Sequence, residues 1–130
     1  MARQASKYPT ELELEILKVL WQEGKCSVRQ VRETLAGVRD LAHTSVMTVM
    51  SIMADKGYVA RTKQGNRHIY CAVMAEQATS SGMLGDLVDR LFKGSAAAAM
   101  VNLLETNDLD TAELAELKQL ILSKGKESTS

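Results

Sequence analysis

Proline occurs once and glycine eight times in 130 residues, too few to turn a chain built of many short strands. Aromatic residues are only 4%, so aliphatic side chains and methionine must fill whatever core forms. Two cysteines, Cys26 and Cys71, make neither a disulfide framework nor a four-ligand zinc site. No apolar run approaches the roughly 18 residues that a spanning helix needs, so no membrane insertion is expected. The opening MARQASKYPTELE has no apolar segment and no cleavage-like site, which predicts a cytoplasmic protein. With two histidines and no HExxH, GxSxG, P-loop or dinucleotide-binding glycine pattern, catalysis has little to work with. His68 and Cys71 lie three apart on a predicted strand, which places them on opposite faces and denies them a catalytic pairing. The expectation is no enzyme, no cofactor and no metal.

What is present favours helix. Leu, Ala, Met, Glu, Lys and Gln are abundant, and 45% hydrophobic with 25% charged residues is ordinary globular composition. The zero net charge hides an asymmetry between the halves. Residues 1–72 carry eleven Lys and Arg against seven acids, a net of +4, and residues 73–130 carry five against nine, a net of −4. Within residues 24–68 eight bases face three acids, with His43 and His68 in addition. A basic half beside an acidic half suggests that one half faces a polyanion. A merely solvated surface is the plain alternative.

The spacing predicts six helices and a hairpin. Thr10 with Glu13 is a capping box, and Leu12, Ile16, Val19 and Leu20 then form one apolar stripe that Gly24 ends. Ser27 with Gln30 opens a short second helix through Val28, Val31 and Leu35. A third runs from about Ala42 to Lys56, with Val46, Val49, Met50 and Met53 inward and Gly57 as its C′ residue. The period then changes: residues 58–62 and 67–71 read as strands about a turn over 63–66, with Ile69 inward between outward His68 and Tyr70. That order is a winged helix-turn-helix. The fold class is therefore mainly α with a small β-hairpin: a winged domain over residues 1–72, then a helical segment over 73–130. In that segment helices are expected from Met74 to Lys93, from Ala96 to Glu105, and from a third capping box, Asp110 with Glu113, to Gly125, with a frayed tail beyond.

The third helix carries the sharpest signal. Its outer side bears Thr44, Ser45, Met47, Thr48 and Ser51 where a solvated helix normally carries Glu, Lys or Gln. Short side chains let a backbone approach a flat surface, hydroxyls take donor or acceptor base edges, and methyl groups fit the thymine C5-methyl. Thr44, Ser45, Met47 and Thr48 are therefore the candidate base readers. Candidates for backbone or wing contacts are Ser27, Arg29, His43, Ser51, Arg61, Lys63 and Arg67, with free N–H groups at Ser27 offered to a phosphate and Lys25 nearby. Cys26 and Cys71 read as small buried or half-buried thiols, with a redox or metal switch as the alternative.

The last three helices hold more apolar surface than so short a segment can bury within itself. The stripe Leu87, Leu91, Val101, Leu104, Leu114, Leu117 and Ile121 asks for a partner, and a second copy is the simplest one.

The run LAHTSVMTVMSIMADKGYVARTKQGNRHIY resembles the recognition helix and wing of the BlaI/MecI penicillinase-repressor family. ELEILKVLWQEGKCSVRQVRETL is similar to that family's first two helices, and GMLGDLVDRLFKGSAAAAMVNLLETNDLDTAELAELKQLI to its dimerisation segment. The likeness covers about residues 8–124. It implies a homodimeric repressor on an inverted-repeat, double-stranded DNA operator. It also implies relief by a membrane sensor metalloprotease through a cut between Asn102 and Leu103. Leu103 stands where the family usually has a bulkier aromatic, and the clustered C-terminal cysteines of the copper-responsive branch are missing. Two other readings stay open: a winged helix that docks on a protein, and a repressor answering a redox or ligand signal instead of proteolysis.

Overall fold

A computed structural model describes residues 8–129, with side chains for residues 8–127. Arg3 and Lys7 of the basic count, and Ser130 of the tail, lie outside the described residues. Helix α1 (Glu11–Glu23) opens on the Thr10/Glu13 capping box, both of whose hydrogen bonds are made. A two-residue strand β1 (Cys26–Ser27) follows, then α2 (Val28–Leu35), α3 (His43–Lys56), β2 (Val59–Gln64) and β3 (Arg67–Ala72). The three strands form an antiparallel sheet in the order β1–β3–β2. Gly57 ends α3 in the left-handed region at φ 85°, where a side chain would be strained.

The predicted hairpin turn is shorter in the structure. Only Gly65 and Asn66 lie between the strands, with Gln64 paired to Arg67. Gly65 has φ 62° and Asn66 does not share the positive value, the pattern of a type II′ turn that suits the strand twist. The inward and outward faces also correct the expectation. Tyr70, expected outward, is 1% exposed, and Ile69 is only half-buried. The reason is β1, which the hairpin pattern did not include. By pairing Cys26 with Tyr70 it makes β3 the central strand, and the face bearing Tyr70 turns to the helices.

The core is one cluster. Ile16, Leu17, Val19 and Leu20 of α1 meet Val31 and Leu35 of α2, Val46, Met50 and Met53 of α3, and Cys26, Tyr58, Val59 and Tyr70 around the sheet. Val49, expected inward, lies half-buried at its margin. Aliphatic side chains and methionine dominate, as the scarcity of aromatics required.

Helix α4 (Glu76–Phe92) starts two residues later than Met74, because Met74 is spent elsewhere: Trp21 Nε1 donates to its carbonyl at 2.8 Å. Thr79 is buried with its hydroxyl on the Ala75 carbonyl, and a Cβ on Gly82 would meet the Tyr8 ring at 3.0 Å. The first compact unit runs to Leu84, inside α4.

The second unit begins at Gly85 and contains the rest of α4, α5 (Ala96–Thr106) and α6 (Thr111–Thr129). The Asp110/Glu113 box caps α6, with Glu113 N donating to Asp110 Oδ1 at 2.8 Å. Gly125 does not end α6; the helix runs on through it to Thr129. An exposed glycine costs a helix roughly 1 kcal/mol but does not stop it unless the backbone turns left-handed, and Gly125 keeps a negative φ. Ala99 is the one buried residue among the described side chains of this unit.

Candidate nucleic-acid interface

Two sets of bonds fix α3 on the core, one at each end. At its C-terminal end Lys56 Nζ meets Glu13 Oε2 at 2.8 Å in a nearly buried ion pair with α1. At its N-terminal end the connection from α2 is tied down twice. Arg32 Nε donates to the Leu41 carbonyl at 2.8 Å, and Arg39 Nε meets Glu15 Oε2 at 2.6 Å, with Glu11 at 3.4 Å. Hydrogen bonding to Glu15 and its charge hold the Arg39 guanidinium above its ordinary pKa. These groups orient the recognition helix, and sequence reading passed over their role. Each pair joins residues far apart in the chain, and only the capping-box half of Glu13 has a local signature.

On α3 so placed, His43, Thr44, Ser45, Met47 and Thr48 are exposed, Met47 at 45%. Thr48 Oγ1 donates to the Thr44 carbonyl at 2.8 Å, leaving its methyl and oxygen lone pairs outward. Ser51 is half-buried where α3 meets the wing, and Arg61 Nη1 donates to its Oγ at 3.3 Å.

The strand register sorts the wing into two faces, because directly paired residues share a face. Arg61 pairs with Tyr70 and Lys63 with His68, so these four share the face turned to α3. Arg67 pairs with Gln64 and lies on the other face with Thr62 and Ile69. Arg61, Lys63 and Arg67, expected to act together, are thus divided two to one. Between α3 and the wing lies a cleft of about 420 Å³ lined by Met47, Thr48, Ser51, Ile52, Arg61, His68 and Tyr70. A hydroxyl-and-methyl helix face on one side and cationic strands on the other suit base edges and the flanking phosphates.

Helix α2 contributes less than expected. Ser27 is 4% exposed; its N–H donates to Gln30 Oε1 and its Oγ accepts from Gln30 N. The capping box that announced the helix takes up the N–H and the hydroxyl of Ser27 itself, so Ser27 caps α2. Arg29 is exposed and pairs with Glu33 one turn along, at 3.0 Å. Lys25 is exposed.

The thiols do not come together. Cys26 is buried beside Tyr70, and burial first, then the charge of Glu23, raises its pKa. A raised pKa keeps the thiol protonated and unreactive. Cys71 is half-buried on the opposite face of β3 from Tyr70. Among the described residues no group of His, Cys, Asp and Glu is placed to hold a metal, and no helix is long and apolar enough to cross a membrane.

In the second unit the whole stripe lies open. Leu87, Leu91, Val101, Leu104, Leu114, Leu117 and Ile121 are all exposed, from 41% at Leu117 to 65% at Leu91. Helices α5 and α6 bound an apolar cleft of about 670 Å³ whose walls include Met100, Leu103, Leu104, Leu114, Leu117 and Ile121. Asn102 and Leu103 are exposed inside α5, with the Asn102 carbonyl accepting from Thr106 Oγ1 and the Leu103 carbonyl from Asn107 N.

Comparison with known proteins meets this geometry. The sequence profile of the penicillinase repressor family matches residues 9–123. The transcriptional regulator BlaI of Mycobacterium tuberculosis (strain ATCC 25618 / H37Rv) is 35% identical over 115 residues, covering 83% of each chain. The methicillin resistance regulatory protein MecI of Staphylococcus aureus (strain N315) is 20% identical over 112 residues, covering 86% of this chain and 91% of that one. The solution structure of the DNA-binding domain of the repressor BlaI superposes with a TM-score of 0.50 at 20% identity, over 57% of this chain and 90% of that one, a likeness of fold. The chain belongs to the penicillinase repressor family, that of BlaI and MecI, whose members are DNA-binding transcriptional repressors and not enzymes.

Proposed function

We propose that this chain represses transcription in the cytoplasm as a homodimer on an inverted-repeat operator, the winged part reading DNA and the helical part joining two copies. The carrying observation is the cleft between the exposed Thr44–Thr48 face of α3 and the cationic wing. Thr44, Ser45, Met47 and Thr48 read base edges in the major groove. Lys63, Arg67, His43 and Arg29 meet the phosphates. No outward Arg, Asn or Gln on α3 makes a bidentate contact to guanine or adenine, so the preferred site is rich in thymine methyls.

Dimerisation is supported by the open stripe. A unit whose described side chains bury only Ala99 has no core of its own, and a second copy supplies one. Joining two weak half-site readers makes the second contact intramolecular, with avidity gains of roughly 10²–10⁴. Release follows from cutting the joint. A bond broken between Asn102 and Leu103 divides α5 and leaves Val101 and Leu104 on separate pieces. The bond lies within a regular helix, so a membrane sensor's metalloprotease acts on a locally unwound α5.

The test is selection of duplexes from a random library by the full chain, followed by affinity against salt. Replacing Arg67 by Ala should weaken selected and random duplexes about equally and flatten the salt slope by roughly one unit. A loss confined to one base pair would make Arg67 a direct reader. A wild-type chain that enriches no duplex and shows no salt dependence overturns the DNA reading in favour of a protein-docking winged helix.

A further inference from the structure

Arg61 differs from the other wing cations in what already holds it. Lys63 and Arg67 make no ion pair or side-chain hydrogen bond among the described residues, so either can swing to a phosphate without breaking one. Arg61 donates to Ser51 Oγ on α3 at 3.3 Å and sits directly across the strand pair from Tyr70, its register partner on β3, on the same face of the wing. Tyr70 is 1% exposed, so β3 is anchored in the core at the point where Arg61 crosses to α3. Moving Arg61 to a phosphate would break its bond to Ser51. Ser51 in turn lies three and four residues beyond Thr48 and Met47, on the same face of α3. The guanidinium therefore links the base of the wing to the turn of α3 that follows the reading residues, along the cleft that all of them line.

We propose that Arg61 is a positioning residue: reaching from β2, beside the buried Tyr70, to Ser51 of α3, it sets the angle between recognition helix and wing, and acts on sequence preference through that angle instead of contributing charge to a phosphate. The inference rests on the DNA-reading function proposed above. It moves Arg61 out of the set of backbone contacts that its position in a basic wing suggests.

The experiment uses the full-length chain and a duplex that the wild type enriches from a random library, beside a random duplex of equal length. Arg61→Ala, Ser51→Ala and the double variant are measured against salt, with thermal melts to show that each is folded. Arg61→Ala should lower affinity for the enriched duplex about ten-fold, hardly change the random one, and keep the wild-type salt slope. Ser51→Ala should lose affinity for the same duplex, and adding it to Arg61→Ala should change nothing further, because the two act through one bond. An equal loss on both duplexes with a slope flattened by about one unit would overturn the proposal and make Arg61 a phosphate contact. So would additive losses in the double variant. If Arg61→Ala melts too low to assay, Ser51→Ala alone decides, since it leaves the charge in place: unchanged affinity and preference refute the bridge. A wild-type chain that enriches no duplex removes the DNA reading itself, an outcome distinct from all of these.

Discussion

Glu13 holds two elements at once. Its Oε1 accepts the Thr10 N–H and its Oε2 meets Lys56, both at 2.8 Å, on a residue only 3% exposed. Burial by itself would raise the carboxyl pKa; the bonds to Lys56 and Thr10 outweigh it and bring the pKa below its ordinary value. A lowered folded-state pKa means stability that is present above the usual carboxylate range and lost as pH falls through the lowered value. Glu13→Gln should therefore destabilise the winged unit by about 2–3 kcal/mol near neutral pH. Wild type and variant should converge as the pH falls through the lowered carboxyl pKa, which melts across a pH series would show. The capping box was legible in the sequence, because its two residues lie three apart. The ion pair was not, because Lys56 lies 43 residues away. Thr48 makes a similar point about side chains. Its hydroxyl proton is held by the Thr44 carbonyl, so the methyl is what it chiefly presents to a base. Thr48→Val should keep the thymine preference, while Thr48→Ala loses on the order of 1–3 kcal/mol at one or two base positions. Selected sequence logos for both variants check this, and equal damage by Val would assign the reading to the hydroxyl.

Among the elements, helix starts were better marked than helix ends. All three capping boxes form as their spacing requires, since each is a bond between a side chain and a backbone three residues away. Glycine is a weaker sign. Gly57 ends α3 because the chain must turn left-handed there into β2, whereas Gly125 in the middle of a solvated stretch meets no such demand. An added Cβ at Gly125 has nothing within 4 Å, so Gly125→Ala should stabilise α6 by about 0.5–1 kcal/mol and raise helicity by circular dichroism. A loss of helicity or of self-association instead would show that a second copy approaches closely at that position. The wing was legible as a hairpin but not in its facing. Alternation says only that residues two apart share a face; which face is covered depends on β1, a strand of two residues without a period of its own.

For the whole molecule, the first unit closes on its own core and the second does not. The reading that two copies meet through α4 to α6 makes a concrete demand on one residue. Leu117→Asp places an unpaired charge in the proposed seam and should lower self-association and operator affinity together while the winged unit still melts normally. A fragment ending at Asn102 should behave in the same way. Sedimentation of both beside duplex binding decides the matter: either variant dimerising and binding like the intact chain would refute this account of the joint and of induction.

The sequence alone determined the order of the six helices and the hairpin, the two stripes, and the short-side-chain face of α3, because period, caps and composition are properties of neighbouring residues. It also carried the resemblance that the family match bears out. Tertiary structure decided what depends on partners distant in the chain. It turned Tyr70 inward, closed Ser27 into its cap, and tied the chain entering α4 to Trp21. It also took Arg61 from the solvated wing to Ser51. In each case a side chain's partners were set by what the fold brought beside it, and hydropathy along the chain carries no record of that.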